Sequence, residues 1–504
     1  MKNVLQQSLS CPEVAALFPA RLLAALTRVH HVLHGEVFLT GGTIRDLLLG
    51  RKPADIDLTV ARGAIEWAEL LTEKIGGTFV LLGREEDAAR VVWQGLDVDF
   101  SSFREGAASI EQELHKRDIT INSMALPVHG LLCQPDCAGL ASLQIIDPVH
   151  GLDDLAKQQI RLSSSRCFHA DPLRMLRIFR FAARLDLSID RAALEQVQLC
   201  KEQINRVSVE RISHELDLIM VSSRAASTLQ ALQQCGLLWE ILPELQAGAG
   251  MDQPSSHHLD VFDHCMETLH QMELVLADPG HYFPENREEI ATYLQAPRRK
   301  LLLKWAALFH DVGKPATYGI REDKGGRITF YNHDLQGADI FSSIARRLRW
   351  SSDDARFVAR LIAAHMRPFF LANNQRQNKL TTRACLRLIR KIGEHLPGLF
   401  LLAMADALAG KGENSPEQIE AEVAGLFSRL CRLEESHVAP VRSAPPLITG
   451  NDLITELKLS PGPLFRTILE HVEEAQMEQG ITTRSDALAL ARELARRKNA
   501  ADLQ

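Results

Sequence analysis

The sequence predicts a multidomain protein with an α/β head at its N-terminus and an all-helical body. The chain has 504 residues, more than the roughly 100–200 of a typical domain. Short β-rich runs crowd into residues 36–103, and apolar residues recur at helical spacing from residue 151 almost to the end. We therefore expect a head over 1–150, a helical neck over 151–247, a second helical domain over 248–415 and a helical tail over 416–504.

The composition excludes several classes of protein. With 46% hydrophobic and 24% charged residues, the chain resembles ordinary globular proteins rather than disordered ones. A net charge of −7 argues against a uniformly basic nucleic-acid binder, although a local basic face remains compatible with it. The nine cysteines form no C-x-x-C pair, which favours thiols in a reducing compartment. Because the sequence also lacks a secretory run and an 18-residue apolar stretch, we expect a cytoplasmic protein without a membrane span.

The head is predicted from its short β-rich runs. Turns and one predicted helix, over residues 65–75, separate these runs. The runs read EVFLT, DIDLTV, GTFVLLG, ARVVWQ and LDVDFSSF. Immediately after the first run comes GGTIRD, with Gly41, Gly42 and Arg45, at the start of a predicted helix. Backbone N–H groups and an arginine at a helix N-terminus can hold a triphosphate.

The second run contains two carboxylates, Asp55 and Asp57. Successive side chains of a strand alternate between its faces, so these two lie on the same side. The fifth run offers a third carboxylate, for which we favour Asp99 and keep Asp97 as the alternative. Carboxylate oxygens suit Mg²⁺, and two such ions can catalyse phosphoryl transfer. A lone D-x-D is more often a solvated strand end, but the preceding GGTIRD favours the metal site.

These residues resemble the GG-x-x-RD and D-x-D motifs of the class II tRNA nucleotidyltransferase and bacterial poly(A) polymerase family, in the polymerase β superfamily. Four further segments resemble motifs of the same family in the same order: KRDITIN from Lys116, DPVHGLDDL from Asp147, DPLR from Asp171 and VSVERISHEL from Val207. The resemblance implies a polymerase β-like head that adds nucleotides to an RNA 3′ end without a template. It also implies tRNA, ATP and CTP as partners.

Selection of the base is expected from a helix that starts near Asp171. Arg174 follows three residues later, so both side chains can leave one face of that helix and meet one flat base. A carboxylate accepts from the amino group that cytosine and adenine share, and a guanidinium donates to the adjacent ring nitrogen. The alternative is a surface salt bridge. The family usually has a glutamate before this aspartate, whereas this chain has Ala170.

The resemblance assigns four further residues. It implies that Arg177 and Arg180 face the triphosphate and that Arg117 and Asp118 contact the base or sugar. The connection between Arg104 and Lys116 contains only residues 105–115, and such a short connection resembles the family members that add only the two cytidines. Loops also shorten for reasons unrelated to function.

The helical middle contains a second set of metal-binding residue types. They are His264, His310, Asp311 and Asp406, with His333 and His365 as further possible ligands. Their order resembles the H … HD … D pattern of HD phosphohydrolases, which implies phosphatase or cyclic phosphodiesterase activity. His and Asp ligands together suit Mn²⁺, Ni²⁺, Fe, Zn²⁺ or another transition metal. Because a glycine and a proline follow the doublet, we expect His310 and Asp311 at the rim of a core.

The sequence therefore predicts a tRNA nucleotidyltransferase that adds C and/or A, with an attached HD hydrolase. The alternatives are a poly(A) polymerase, and an HD phosphohydrolase whose head only binds RNA. Basic clusters at residues 298–300, 346–349 and 376–391, together with a tail that resembles the tRNA-binding tail of class II enzymes, favour tRNA. The oligomeric state is left open.

Overall fold

The computed structural model describes residues 7–104, 106–133, 142–254, 258–324, 326–412 and 416–501. The chain divides into two compact units, Met1–Ile241 and Leu242–Gln504. The boundary predicted between residues 247 and 248 lies close to this division. Head and predicted neck thus share the first unit, and the finer four-part division stays a prediction.

The first unit is built on a six-stranded sheet of order β4-β5-β6-β3-β2-β7. Its strands confirm the five predicted runs, and β7, which sequence reasoning missed, extends the edge beside β2. Strands β3 and β6 are parallel, and the other neighbours are antiparallel. The strands of this unit are β1 Ser8–Ser10, β2 Val37–Thr40, β3 Asp55–Val60, β4 Thr78–Gly83, β5 Ala88–Trp93, β6 Leu96–Ser102, β7 Ala125–Pro127, β8 Ser142–Gln144, β9 Gln159–Ile160 and β10 Ser188–Ile189.

Helices cover the sheet and then continue as a helical extension of the same unit. They are α1 Cys11–Ala15, α2 Ala20–Leu33, α3 Gly41–Leu48, α4 Ala64–Ile75, α5 Ile110–His115, α6 His129–Cys133, α7 Gly151–Ala156, α8 Cys167–Ala170, α9 Arg174–Leu185, α10 Arg191–Cys200, α11 Val209–Val221, α12 Ala225–Gln234 and α13 Leu237–Ile241. The main core lies between the sheet and helices α2 and α4, where Leu22, Leu26 and Leu71 are fully buried. The aspartates of β3 and β6 lie on the face of the sheet opposite this core.

In its described residues, the second unit is helical apart from one hairpin of β11 Tyr318–Arg321 and β12 Arg327–Phe330. Its helices are α14 Pro243–Gln246, α15 Val261–Ala277, α16 Pro279–Tyr282, α17 Arg287–Leu294, α18 Arg299–Phe309, α19 His333–Arg347, α20 Ser352–Ile362, α21 Arg367–Arg376, α22 Thr382–Ile392, α23 Leu396–Ala409, α24 Ile419–Leu433, α25 Ala439–Ser443, α26 Gly450–Thr455, α27 Pro463–Met477 and α28 Arg484–Ala501. Helix α23 is apolar on nearly all sides and packs against α15, α18 and α24. It forms the centre of this unit.

Helices α22 and α23 lie within Thr382–Ala409, the one stretch of the described residues that is long and apolar enough to cross a membrane. Because 72% of its apolar window is buried inside the protein, we interpret it as core. This agrees with the prediction of no membrane span.

The predicted tail contains α26, α27 and α28, which pack around a small core of their own that includes Ile448, Leu453 and Ile468. Several residues of the predicted basic clusters are held in ion pairs within the second unit. Arg298 pairs with Asp354, Arg347 with Glu244, Arg376 with Glu422 and Arg383 with Glu478. These arginines therefore carry structural partners, which weakens the argument from basic clusters.

Seven cysteines among the described residues are free thiols. Cys11 is disulfide-bonded, whereas the sequence favoured thiols in a reducing compartment.

Candidate active site and metal centre

Three carboxylates meet where strands β3 and β6 run side by side. The parallel register places Asp55 beside Asp97 and Asp57 beside Asp99. Asp55, Asp57 and Asp99 each offer an oxygen within 4.8 Å of the others. Side chains of β3 alternate between the two faces of the sheet, and Ile56 and Leu58 are buried on the opposite face. The alternation that builds the core therefore also places the carboxylates on one face. The trio is an all-oxygen donor set of the kind that Mg²⁺ prefers.

The turn from β2 into α3 is built around Asp57. The backbone N–H of Gly42 donates to Asp57 Oδ2 at 3.1 Å, and the hydroxyl of Thr43 accepts from the Asp57 N–H at 2.8 Å. Gly41 has φ +65°, and a Cβ there would lie 2.9 Å from Asp57 Oδ2. Glycine is therefore required at this position both by its backbone conformation and by the close approach of the carboxylate.

Arg90 on β5 holds the third carboxylate. Its Nε and Nη2 donate to the two oxygens of Asp99 at 2.7 and 2.8 Å, while Nη1 donates to Asp97 at 2.8 Å. Sequence reasoning missed this residue, although the alternation of β5 could have placed it on the face of the aspartates. The bidentate contact fixes the orientation of Asp99, and Asp97 is turned to the other side of the guanidinium.

The carboxylates repel one another. Burial, together with the neighbouring Asp55 and Asp99, raises the pKa of Asp57 to about 6. Burial and Asp99 also raise the pKa of Asp55. A site that disfavours its own negative charge in this way favours a cation, and the donor set fits a divalent one.

The carboxylates lie in a cavity of about 910 Å³ within the first unit. Nine arginines and seven acidic residues are among the described residues that line it. Four of the arginines come from one helix, α9, at spacings of three and four residues that place them on a single face: Arg174, Arg177, Arg180 and Arg184. The cavity therefore combines a metal-binding floor with a strongly cationic wall, as a nucleoside triphosphate needs.

Several predicted nucleotide-binding residues already have protein partners. Arg177 donates to Asp118 at 2.7 and 2.9 Å, and Arg180 donates to Glu215 at 2.6 Å. Burial alone would raise the pKa of Asp118, but the charges of Arg177 and Arg174 hold it well below its ordinary value. The Asp118 carboxylate therefore favours its ionised form and fixes Arg177 on the arginine face of α9.

Arg45 and Arg117 line the cavity close to the β2–α3 turn. Arg45 is buried and donates to Asp46 at 2.9 Å and to Asn122 at 2.6 Å. Arg117 donates to the hydroxyls of Thr40 and Thr59 at 3.1 and 2.9 Å. Both side chains are thus fixed in position before any ligand arrives.

The helix predicted to begin near Asp171 begins later, at Arg174. Asp171 has extended backbone between α8 and α9, since Pro172 follows it and excludes the residue before it from the helical region. Its carboxylate accepts from Arg211 at 2.9 Å, and Arg174 directs Nη1 towards the carbonyls of Arg117 and Cys167 at 3.5 Å. The i,i+3 argument was therefore wrong in its geometry, although both residues line the cavity.

The second unit brings together all six predicted metal ligands. His264 lies in α15, the doublet His310–Asp311 follows α18, His333 begins α19, His365 follows α20 and Asp406 lies in α23. His310 and Asp311 are 0% and 2% exposed, so the predicted position at the rim of the core is wrong for the doublet. Their burial follows from α18, whose residues 301–309 are all buried and carry the doublet inward.

The six side chains form two groups whose ligand atoms lie within 4.8 Å of one another: His264, His310 and Asp406, and Asp311, His333 and His365. Gly313 allows this convergence, since a Cβ there would lie 2.2 Å from the carbonyl of His333 and 2.5 Å from the amide of Gly337. The donor set of imidazoles and carboxylates fits a transition metal better than Mg²⁺.

The electrostatics of this centre also call for a cation. Burial would raise the pKa of Asp311, but His310 and Lys314 hold it well below its ordinary value. Burial would likewise lower the pKa of His310, but Asp311 and Asp406 raise it well above the ordinary value. The His310 imidazole therefore favours its protonated form beside the two carboxylates, and a metal ion bound there would compete with that proton.

A cavity of about 640 Å³ opens from Asp311, His333 and Asp406. Phe330, Tyr331 and Phe370 contribute aromatic walls, and Arg327, Arg367 and Arg376 contribute positive charge. Lys314 also lines it and donates to Asp311 Oδ2 at 2.5 Å. Sequence reasoning missed Lys314, although its spacing of three residues from Asp311 was a usable signal.

Comparison with known proteins identifies the family of this chain. Residues 37–161 match the poly A polymerase head domain, residues 186–248 the probable RNA and SrmB-binding site of polymerase A, and residues 261–411 the HD domain. The A-adding tRNA nucleotidyltransferase of Deinococcus radiodurans is 32% identical over 457 residues, which cover 90% of this chain and 94% of that protein. The chain belongs to the tRNA nucleotidyltransferase and poly(A) polymerase family.

Another curated relative and two solved structures also match over almost the whole chain. The CC-adding tRNA nucleotidyltransferase of Thermus thermophilus is 29% identical and covers 90% of this chain and 92% of its own length. A solved CCA-adding enzyme in an apo form matches with a TM-score of 0.62 at 19% identity, covering 96% of this chain and 97% of that one. The Thermotoga maritima CCA-adding enzyme with tRNA matches with a TM-score of 0.59 at 18% identity, covering 99% and 100%. The predicted fold class, an α/β nucleotidyltransferase head followed by helical regions with an HD domain, is thereby confirmed.

Proposed function

We propose that this nucleotidyltransferase adds C and/or A to the 3′ end of tRNA without a template, in the cytoplasm. The observation that carries the proposal is the position of Asp55, Asp57 and Asp99 in a cavity whose wall is the arginine face of α9. The acidic group suits the metal ions and the reacting oxygens. The arginines suit the triphosphate, so the two requirements of phosphoryl transfer meet in one space.

Asp55, Asp57 and Asp99 would hold Mg²⁺, which supplies charge neutralisation at the transferred phosphoryl group and activates the 3′ hydroxyl. Gly42 and Thr43 hold Asp57 in place through its side chain and backbone. The N-terminus of α3 adds the N–H groups and Arg45 that we expect near the triphosphate. These residues supply position and charge, which is most of what phosphoryl transfer asks of a protein.

Asp171 and Arg174 remain our proposal for base selection. Arg211 holds the carboxylate of Asp171 at 2.9 Å, and the guanidinium of Arg174 makes only long contacts, at 3.5 Å, to backbone carbonyls. A base edge can replace those weak contacts with shorter ones. Asp118 supports this arrangement by fixing Arg177 one turn further along α9.

A second activity is favoured by the histidine and aspartate cluster of the second unit. We propose that it binds Mn²⁺, Ni²⁺, Fe or another transition metal and hydrolyses phosphomonoesters or 2′,3′-cyclic phosphates at RNA ends. The 640 Å³ cavity beside it supports this substrate class, because aromatic walls can stack on a base while Lys314 and the arginines attract phosphate.

The experiment uses tRNA transcripts that end before, within and after CCA, each incubated with one labelled nucleoside triphosphate. We expect addition of C to the shortest tRNA, of A to tRNA ending in CC, or both, and no addition of G or U. The Asp55→Ala/Asp57→Ala protein is the matched control. Long adenosine tails on any RNA would instead support a poly(A) polymerase, and no incorporation alongside active hydrolysis would support a hydrolase whose head only binds RNA.

A further inference from the structure

We propose that the β4–β5 hairpin binds the terminal nucleoside of the RNA acceptor, and that this nucleoside packs on Leu82. Three residues of the hairpin line the nucleotide cavity, and we call them the hairpin rim: Leu82, Glu86 and Ala88. The inference rests on the nucleotide addition and the carboxylate site proposed above, and it adds a second subsite to the same cavity. The ligand class is a ribonucleoside that ends in a free 3′ hydroxyl.

The strand order places the hairpin rim on the side of the carboxylates from which the acceptor enters. The sheet runs from β2, whose turn into α3 we expect to hold the triphosphate, through β3 and β6 with the three aspartates to β5 and β4. In phosphoryl transfer the attacking and leaving oxygens lie roughly in line, on opposite sides of the transferred group. Because the pyrophosphate leaves on the side of β2, the 3′ hydroxyl attacks from the side of β5 and β4.

A β-bulge in β4 brings Leu82 to this position. The register of β4 with β5 shifts between Leu81 and Gly83, so Leu82 is the extra residue of the bulge. Bulges redirect side chains and are frequent beside active sites. Leu82 is 51% exposed, and it lines a cavity whose other described lining residues are mostly polar or charged. Its side chain therefore presents apolar surface to the cavity rather than to the core.

The turn of this hairpin is anchored to the body of the head. Asp87, whose φ is +48°, accepts from the three backbone N–H groups of residues 63–65 at 2.8 to 3.1 Å. The hydroxyl of Ser102 also donates to Asp87, at 2.6 Å. A surface that is fixed before its ligand arrives loses less conformational entropy on binding. The hairpin rim is therefore preorganised for the acceptor.

The hairpin rim differs in charge from the arginine face of α9. Leu82 and Ala88 are apolar, and Glu86 adds a carboxylate, which repels phosphate. The Glu86 carboxylate occupies the space that a Cβ at Gly83 would take. A nucleoside presents the apolar face of its base and the hydroxyls of its ribose, and a carboxylate can accept from the 2′ hydroxyl. The triphosphate therefore fits the arginines, and the acceptor nucleoside fits the hairpin rim.

The test separates the RNA acceptor from the nucleoside triphosphate. A tRNA transcript that the parent protein extends is varied in concentration, and binding of the triphosphate alone is measured by calorimetric titration. Leu82→Ala removes apolar contact with the acceptor, so we expect kcat/KM for tRNA to fall about tenfold while the Kd of the triphosphate stays unchanged. The matched control is Val80→Ala, in an exposed residue of β4 that is not among the described lining residues of the cavity. It should change neither constant.

A second measurement replaces the last ribose of the acceptor by 2′-deoxyribose. The parent protein should use the deoxy-terminated acceptor less well, and Glu86→Ala should use both acceptors equally. An unchanged kcat/KM for tRNA in Leu82→Ala, an equal loss in Val80→Ala, or weaker binding of the triphosphate alone in Leu82→Ala would overturn the subsite. A full preference for ribose in Glu86→Ala would overturn the contact of Glu86 with the acceptor. Absence of any incorporation by the parent protein would instead refute the proposed nucleotide addition.

Discussion

The two candidate metal-binding sites of this chain use opposite chemistry and opposite architecture. The head gathers oxygen atoms only, from Asp55, Asp57 and Asp99 on two neighbouring parallel strands. The second unit gathers mainly imidazoles, from residues that span positions 264 to 406. Three helices, α15, α19 and α23, and the turns that follow α18 and α20 supply them. The head site is half-buried, whereas all six side chains of the other centre are buried.

This difference in donor atoms and burial indicates that the two sites bind different metal ions. A half-buried oxygen site exchanges its ions and substrate readily and suits Mg²⁺, which arrives with the nucleotide. A buried imidazole site holds a transition metal as part of its own structure. We therefore expect the two sites to respond to different metals and to different substitutions.

The largest expected effect tests the oxygen site. Asp57→Ala should lower nucleotide addition by about 10³-fold or more, which corresponds to roughly 4 kcal/mol of barrier, because it removes a metal ligand and the anchor of the β2–α3 turn. Single-turnover incorporation of labelled nucleotide into tRNA measures the loss, and circular dichroism confirms the fold. Activity within tenfold of the parent would show that Asp57 does not hold a catalytic ion.

The next effect separates two aspartates that share one arginine. Asp99→Asn should reduce addition about a hundredfold, whereas Asp97→Asn should change it only a few-fold, since Asp99 alone joins the trio. Arg90 contacts both side chains, so each substitution removes one charged partner of the same arginine and the two variants control for each other. Rates under the same Mg²⁺ concentration decide the order, and a larger effect of Asp97→Asn would move the third ligand.

A smaller effect concerns the base rather than the metal. Arg174→Ala should reduce the preference for C and A over G and U by about tenfold to a hundredfold. This is the discrimination that one good hydrogen-bonded contact to a base edge provides. Triphosphate binding should change less, because the other arginines of α9 remain. Competition between nucleotides in one reaction measures the selectivity, and unchanged selectivity would make Arg174 a structural arginine.

The smallest effect is the pH dependence of the oxygen site. The pKa of Asp57 is raised to about 6 in the metal-free protein, so the folded state resists its ionisation and loses stability as the pH rises from about 4 through 6. Bound Mg²⁺ requires the ionised form. We expect the affinity for Mg²⁺ to be constant above pH 7 and to fall towards tenfold per pH unit below 6. Calorimetric titration at several pH values measures it, and Asp57→Asn should remove the slope.

Much of the head could be predicted from the sequence, because its information is local. The D-x-D spacing fixes one face of a strand, and the five β-rich runs each became a strand. The sequence could predict that β3 and β6 are neighbours but not their register. Strand β7 was missed because three residues are too few to show the alternation of a strand. Arg90 was missed because its role depends on which strand lies beside β6.

The helical centre shows where such reasoning fails. The identities of the six ligands followed from a family pattern, but their division into two groups around Asp311 depends on how helices far apart in sequence pack together. The same limit explains the error at Asp171, where Pro172 overrides the helical periodicity, and the error at His310, where the packing of α18 buries a doublet that looked terminal.

The central claim is that two chemically different metal sites work independently in one chain. The most direct test compares Asp55→Ala/Asp57→Ala with His310→Ala/Asp311→Ala in matched preparations, each assayed for nucleotide addition with Mg²⁺ and for hydrolysis of 2′,3′-cyclic phosphate with Mn²⁺ or Ni²⁺. We predict that the first protein loses only addition and the second loses only hydrolysis. Loss of both activities in either folded protein would contradict the account.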